Sequence, residues 1–194
     1  MSNSSQQARI SRLRVPGESE IDDSVRPILD MSKNKDGSYD NWRLAVAVNP
    51  GTLIRAAVFL GSIFEPKNDK LTLAEKEMIA VVVSAETGCS YCVTHHVKNL
   101  AKAMKDPIRA QRFALGHDHV PDITPKESAI ADLAVKMSRD PGTITDGDID
   151  RLREVGMDDS EIMAAMEVAA AFNYSSRLTV ASHIIPQDDL FDLS

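Results

Sequence analysis

From position 41 to the far end of the chain, apolar residues recur three and four positions apart, the interval that gathers them on one face of a helix. Trp42, Leu44, Ala45 and Val48 make a first short piece, stopped at Asn49-Pro50. Pro50 suits the first turn of the next helix, 51–64, which carries Leu53, Ile54, Ala57, Val58 and Leu60 and is closed by Glu65-Pro66. Thr72 with Glu75 forms a capping box, in which hydroxyl and carboxylate satisfy orphan amides of the first turn. That helix is expected to reach Glu86 and stop at Thr87-Gly88, where glycine can take the left-handed cap. Another begins at Cys89 or Ser90 and continues to Lys105. Asp106-Pro107 opens a shorter helix to Leu115, Thr124-Pro125 with Glu127 opens one to Arg139, and Thr145 with Asp148 opens one ended by Val155-Gly156. Asp158 with Glu161 starts the last long one, through Ala171 with Ser182 as its furthest end.

Ahead of this helical core, 41–185, the pattern is weaker. Residues 1–8 read as a disordered tail. Residues 9–40 read as an extended N-terminal segment: Ile10, Leu13 and Val15 alternate loosely, Pro16-Gly17 turns the chain, a short helix fits 24–31, and 32–40 is a loop pivoting on Gly37. Few strands suggest themselves and none pair. The fold class is all-α, and the chain reads as a single domain.

There is also an internal echo. AEKEMIAVVVSAE, from Ala74, resembles DDSEIMAAMEVAA, from Asp158, in its cap, glutamate position and density of small residues. The second copy carries Phe172, Asn173 and Tyr174 near where the first carries its cysteines. An internal helical repeat and a convergence of two alanine-rich helices account for it equally well.

Composition removes some functions. A net charge of −7 argues against a general nucleic-acid binder, which needs a basic footprint for phosphate. No stretch approaches the ~20 apolar residues of a membrane span, and the polar N-terminus has no signal-peptide core. The expectation is a soluble, cytoplasmic protein without nucleic-acid or membrane partners. In a reducing compartment two cysteines spaced as CxxC point to catalysis or metal binding rather than to a structural staple.

Those cysteines are the only two in the chain, Cys89 and Cys92, followed by His95 and His96, with Glu77 twelve positions ahead of the first thiol. On a helix, Cys89, Cys92 and His96 form one stripe, His95 lies on the other flank of Cys92, and Tyr91 points roughly away. The reactive form of cysteine is the thiolate, and a nearby base together with a helix N-terminus favours it. A thiolate oxidised by peroxide becomes a sulfenic acid, and a second thiol one turn away condenses with it to a disulfide. Glu77 reaches the site only if the Gly88 turn folds the two helices together, which spacing does not establish. Zinc is the chief rival, with Cys89, Cys92, His96 and either His95 or Glu77 as ligands, although structural zinc sites usually draw on two separated segments. His117, His119 and His183 read as surface or loop residues, Glu75 as a cap, Glu86 as a solvated helix end, and methionines such as Met163 and Met166 as core filling. No GxSxG turn or glycine-rich phosphate loop is present.

A glutamate, eleven residues, CxxC, three residues and a histidine make up the signature that Glu77, Cys89, Cys92 and His96 fit. The segment thereby resembles the AhpD-like alkylhydroperoxidases of the carboxymuconolactone decarboxylase family. The words EKEMIAVVVSAETGCSYCVTHH, MSRDPGTIT and AAFNYSSR resemble the branch usually called uncharacterised peroxidase-related proteins. The resemblance implies an AhpD-like helical bundle working as a homo-oligomer. It also implies that Cys92 attacks a hydroperoxide, that Cys89 resolves it as a disulfide, and that His96 and Glu77 relay protons. No metal or bound cofactor is implied; a dithiol partner, lipoyl or thioredoxin-like, restores the thiols. Better-studied members carry a histidine inside the CxxC where this chain has Tyr91, so Tyr91 and His95 are expected at the substrate. Members acting as lactone decarboxylases lack the thiol pair, which argues against that activity here. The runners-up are a thiol–disulfide oxidoreductase and a non-enzymatic redox switch or scaffold.

Overall fold

A computed structural model describes residues 9–34, 37–65 and 70–193. Nine α-helices form among them: α1 (Arg26–Asp30), α2 (Asn41–Val46), α3 (Pro50–Ile63), α4 (Leu73–Glu86), α5 (Ser90–Met104), α6 (Pro107–Leu115), α7 (Pro125–Arg139), α8 (Asp146–Glu154) and α9 (Asp159–Ser182). Among the described residues the only β pairing is an isolated bridge between Lys33 and Tyr39. The fold is all-α. The tail assigned to residues 1–8 and the stop at Pro66 lie outside the described residues.

α4 is the axis of the bundle. Every residue from Lys76 to Ser84 is buried, as expected of a helix that is apolar nearly all round. α5, α6, α7 and α9 pack against it. Capping boxes open α4, α7 and α9, with both reciprocal bonds present at Thr72/Glu75, Thr124/Glu127 and Asp158/Glu161. Lys126 at the start of α7 lies 2.8 Å from Glu75 and 3.7 Å from Glu161, so these three helices begin at the same end of the molecule. α4 and α9, the two halves of the internal echo, lie directly against each other.

Two apolar cores meet around α5. The larger joins α4 to Leu100, Phe113, Ile130, Leu152 and Phe172. The smaller joins Ile21, Val25 and Leu29 to Trp42, Leu53, Ala56, Ile184 and Leu190, and it contains Cys89, Tyr91 and Cys92. The N-terminal segment is therefore only partly extended. Residues around Ile10 do lie extended, with Arg12 N–H donating to the carbonyl of Ser182 and Ile185 N–H to that of Ile10. Beyond them, Ile21, Val25 and Leu29 fold into the core that contains Cys89 and Cys92. The short helix expected over 24–31 forms as α1, with Pro27 in its first turn, where a missing N–H breaks no intrahelical bond. Trp42 Nε1–H donates to Thr179 Oγ1 at 2.8 Å and ties α2 to α9.

Two of the methionines assigned to the core are corrected: Met31 is 83% exposed and Met163, on α9, 64%. The α9 helix has small residues on every side, so periodicity there does not specify which face is inward.

Candidate active site

The turn after α4 sets the site. Gly88 takes φ +68°, a conformation that suits glycine, and brings α5 back along α4. Cys89 then becomes the N-cap of α5, its sulfur accepting from the Cys92 N–H at 3.3 Å. Cys89 and Cys92 are joined as a disulfide, their Cα atoms 5.3 Å apart. Both sulfurs therefore sit in the first turn of a helix, where its partial positive charge stabilises an anion. Both cysteines are buried.

Four residues after Cys92, on the same face, His96 meets Glu77 of α4: Glu77 Oε2 lies 2.7 Å from His96 Nδ1. A carboxylate only accepts, so Nδ1 carries the hydrogen and Nε2 presents its lone pair. Aromatic rings fix the imidazole. Phe64 stacks on it at 6.4 Å, and Phe172 meets it edge-on at 4.5 Å. Glu77 is buried, and this hydrogen bond satisfies a carboxylate that would otherwise be costly to desolvate.

A cavity of about 380 Å³ opens onto this pair. Cys92, His95, His96, Glu77 and Tyr91 all line it, with Trp42, Leu60, Phe64 and Phe172 among its apolar walls. Cys89 does not; it faces a separate small crevice beside Thr179 and His183. The two bonded cysteines thus border different openings. Tyr91 corrects the helical-wheel reading, because it lines the cavity instead of pointing away from it. Its ring stacks on His95, and its hydroxyl lies 3.4 Å from Asp40 Oδ1, which also holds Arg43. Burial, reinforced by the Asp40 carboxylate, raises the Tyr91 pKa, so the hydroxyl stays protonated as a donor. Burial also pushes His95 down to about 3, with the neighbouring His96 and the cations Arg43, Lys98 and Lys102 adding to the effect.

Asp40, Arg43, Asn99 and Ser175 also border the cavity, and sequence reasoning did not find them. Phe172 carried a signal, since the internal echo set it opposite the thiols. Of the other histidines, His117 pairs with Asp132 outside the cavity lining, and His183, which ends α9 in the left-handed conformation, borders the crevice of Cys89. Among the described residues no three metal-ligating side chains converge on one point. No helix among them is long and apolar enough to cross a membrane.

Residues 55–136 match the carboxymuconolactone decarboxylase family. Among solved structures, the chain is similar to an alkylhydroperoxidase AhpD core from Ralstonia eutropha JMP134, an uncharacterized peroxidase-related protein. The two share 29% identity over 94% of this chain and 95% of that one, with a TM-score of 0.87. An uncharacterized peroxidase-related protein from Silicibacter sp. TM1040 shares 24% identity over 97% of both chains, with a TM-score of 0.85. The debrominase Bmp8 has the same fold at 15% identity, covering 97% of this chain and all of that one, with a TM-score of 0.73. A comparison with curated proteins gave no match.

Proposed function

We propose that this chain, whose residues 55–136 match the carboxymuconolactone decarboxylase family and which is similar over most of its length to an alkylhydroperoxidase AhpD core, reduces hydroperoxides through Cys92 and Cys89. The observation that carries this reading is the asymmetry of the pair. Cys92 shares an apolar cavity with the Glu77–His96 couple, while Cys89 is bonded behind it.

In the dithiol form His96 Nε2 takes the Cys92 proton, and the imidazolium is held against the Glu77 carboxylate. The thiolate attacks the terminal peroxide oxygen, the O–O bond breaks, and the departing alkoxide takes the proton from His96 to leave as alcohol. Cys89 then attacks the sulfenic sulfur, its proton and the hydroxyl leave as water, and the disulfide closes. An external dithiol supplies the two electrons that reopen it, and no bound cofactor takes part. The burial of both sulfurs favours a small peroxide over a protein disulfide as oxidant, and a reductant on a narrow flexible arm, of lipoyl type, over a flat thioredoxin-like surface.

The test is a pair of substitutions. Cys92→Ser abolishes peroxide consumption, whereas Cys89→Ser allows a single attack and accumulates a sulfenic acid that a dimedone probe captures. Equal peroxide reactivity in the two variants overturns the assignment, and one stoichiometric oxidation without turnover in the presence of excess dithiol turns the enzyme into a switch.

A further inference from the structure

The ring of His95 is packed between those of Tyr91 and His96, yet no step above uses it. It stacks on Tyr91 at 6.2 Å and meets His96 edge-on at 4.9 Å, and it lines the same cavity as Cys92. Its Nδ1 is sealed from solvent and has no hydrogen-bond partner among the described residues. Nε2 is not among the sealed, unpartnered atoms, and the residue lines the cavity. A neutral imidazole has one hydrogen to place. On Nδ1 that hydrogen would be a buried donor with nothing to accept it, which is unfavourable. On Nε2, the remaining nitrogen of a ring that lines the cavity, it is available to a bound substrate.

We propose, resting on the peroxidase reading, that His95 is a further catalytic residue whose Nε2–H donates a hydrogen bond to the leaving oxygen while the O–O bond breaks. Two imidazoles this close do not both carry charge. Glu77 favours the charge on His96, and burial with the surrounding cations keeps His95 neutral. The division of labour follows. His96 exchanges the proton, and His95 offers a fixed dipole that neither competes for the thiol proton nor repels the imidazolium. Tyr91 also carries a donor close by, but its O–H is directed at Asp40. The step itself is unchanged in atoms and electrons: sulfur gains the hydroxyl, the alkoxide gains the His96 proton, and His95 gives up nothing.

A group that acts on the leaving oxygen matters most when that oxygen leaves poorly. The experiment compares tert-butyl hydroperoxide, whose alkoxide is a poor leaving group, with peracetic acid, whose acetate is a good one. For His95→Leu, kcat/KM is expected to fall about 10²-fold on the hydroperoxide, the loss typical of one oxyanion donor, and by less than about threefold on the peracid. His95→Gln, which keeps an N–H, recovers part of the first loss. A retained peracid rate shows that its thiols are intact, and a cooperative urea unfolding transition like that of wild type shows that the variant is folded. An equal loss on both substrates, or no loss on either, overturns the role of His95 and leaves the peroxidase reading standing. A wild-type protein that consumes neither substrate overturns the parent reading and this one with it.

Discussion

The Glu77 carboxylate reaches across from α4 to lie 2.7 Å from Nδ1 of His96, nineteen positions further along the chain. The contact fixes the tautomer of the imidazole and places a counter-charge behind it, so the two act as one base. Glu77→Gln keeps the shape and an acceptor oxygen but removes the charge that stabilises the imidazolium. Peroxide reduction is expected to fall about 10²-fold, within the range for losing an oriented general base. Thiolate absorbance near 240 nm gives the independent readout, with the Cys92 titration moving to higher pH. An unmoved titration removes Glu77 from the relay.

His95 gives a stability signature as well as a catalytic one. Burial, aided by His96 and nearby cations, lowers its folded pKa to about 3, against an ordinary value of 6.5. Between those values the unfolded chain binds a proton that the folded chain refuses, so stability rises with pH across that window. It is fully present above pH 6.5 and is lost as the pH falls towards 3. One proton contributes a slope of about 1.4 kcal/mol per pH unit. Between pH 6.5 and 5, above the main carboxylate range, urea unfolding of His95→Phe should show a slope shallower by up to that amount. Parallel curves for variant and wild type would mean that His95 already titrates normally in the fold.

How far the site could be read in advance depends on how local each part is. The caps were legible because Thr72 with Glu75, or Asp158 with Glu161, form their bonds within one turn whatever the rest of the chain does. The stripe of Cys89, Cys92 and His96 was legible because helix geometry alone sets it. The Glu77–His96 bond depends on how the Gly88 turn folds α5 onto α4, and spacing left that open. The cavity walls were beyond reach. Asp40 looked like the end of a loop and Phe64 like a helix terminus, Phe172 was marked only by the internal echo, and only the packing of α2, α3 and α9 around α5 brings them together. The chain after α9 shows the same limit. Ile184 and Leu190 fold back into the core that holds the thiols, with no periodicity to announce it.

Phe172 belongs to both the core and the site. It is buried, edge-on to His96 and perpendicular to Phe64 at 6.0 Å. Phe172→Ala is expected to cost about 3–5 kcal/mol, the usual range for deleting a buried aromatic ring. Phe172→Leu leaves less void and should cost appreciably less. If the ring also holds the His96 orientation, kcat falls in the leucine variant under conditions where it remains fully folded. Denaturant titration measures the first effect and peroxide turnover the second; a leucine variant with wild-type kcat would reduce Phe172 to a packing residue.

The turn glycines separate backbone strain from steric clash. At Gly88, φ is +68° and an added Cβ would meet nothing within 4 Å, so alanine there suffers only the left-handed penalty of about 1–2 kcal/mol. Asparagine tolerates that region and should recover part of the loss. At Gly116, φ is +136° and the new Cβ would stand 2.6 Å from Asp118 Oδ1, so alanine suffers both a conformation that all but glycine avoid and a contact that must move. Urea unfolding should therefore rank Gly88→Asn above Gly88→Ala, and Gly88→Ala above Gly116→Ala, with an unchanged m-value as the sign that only the native state is affected. If Gly88→Ala proved as stable as wild type, the turn that brings Cys92 and His96 back to Glu77 would not depend on the left-handed backbone at that position.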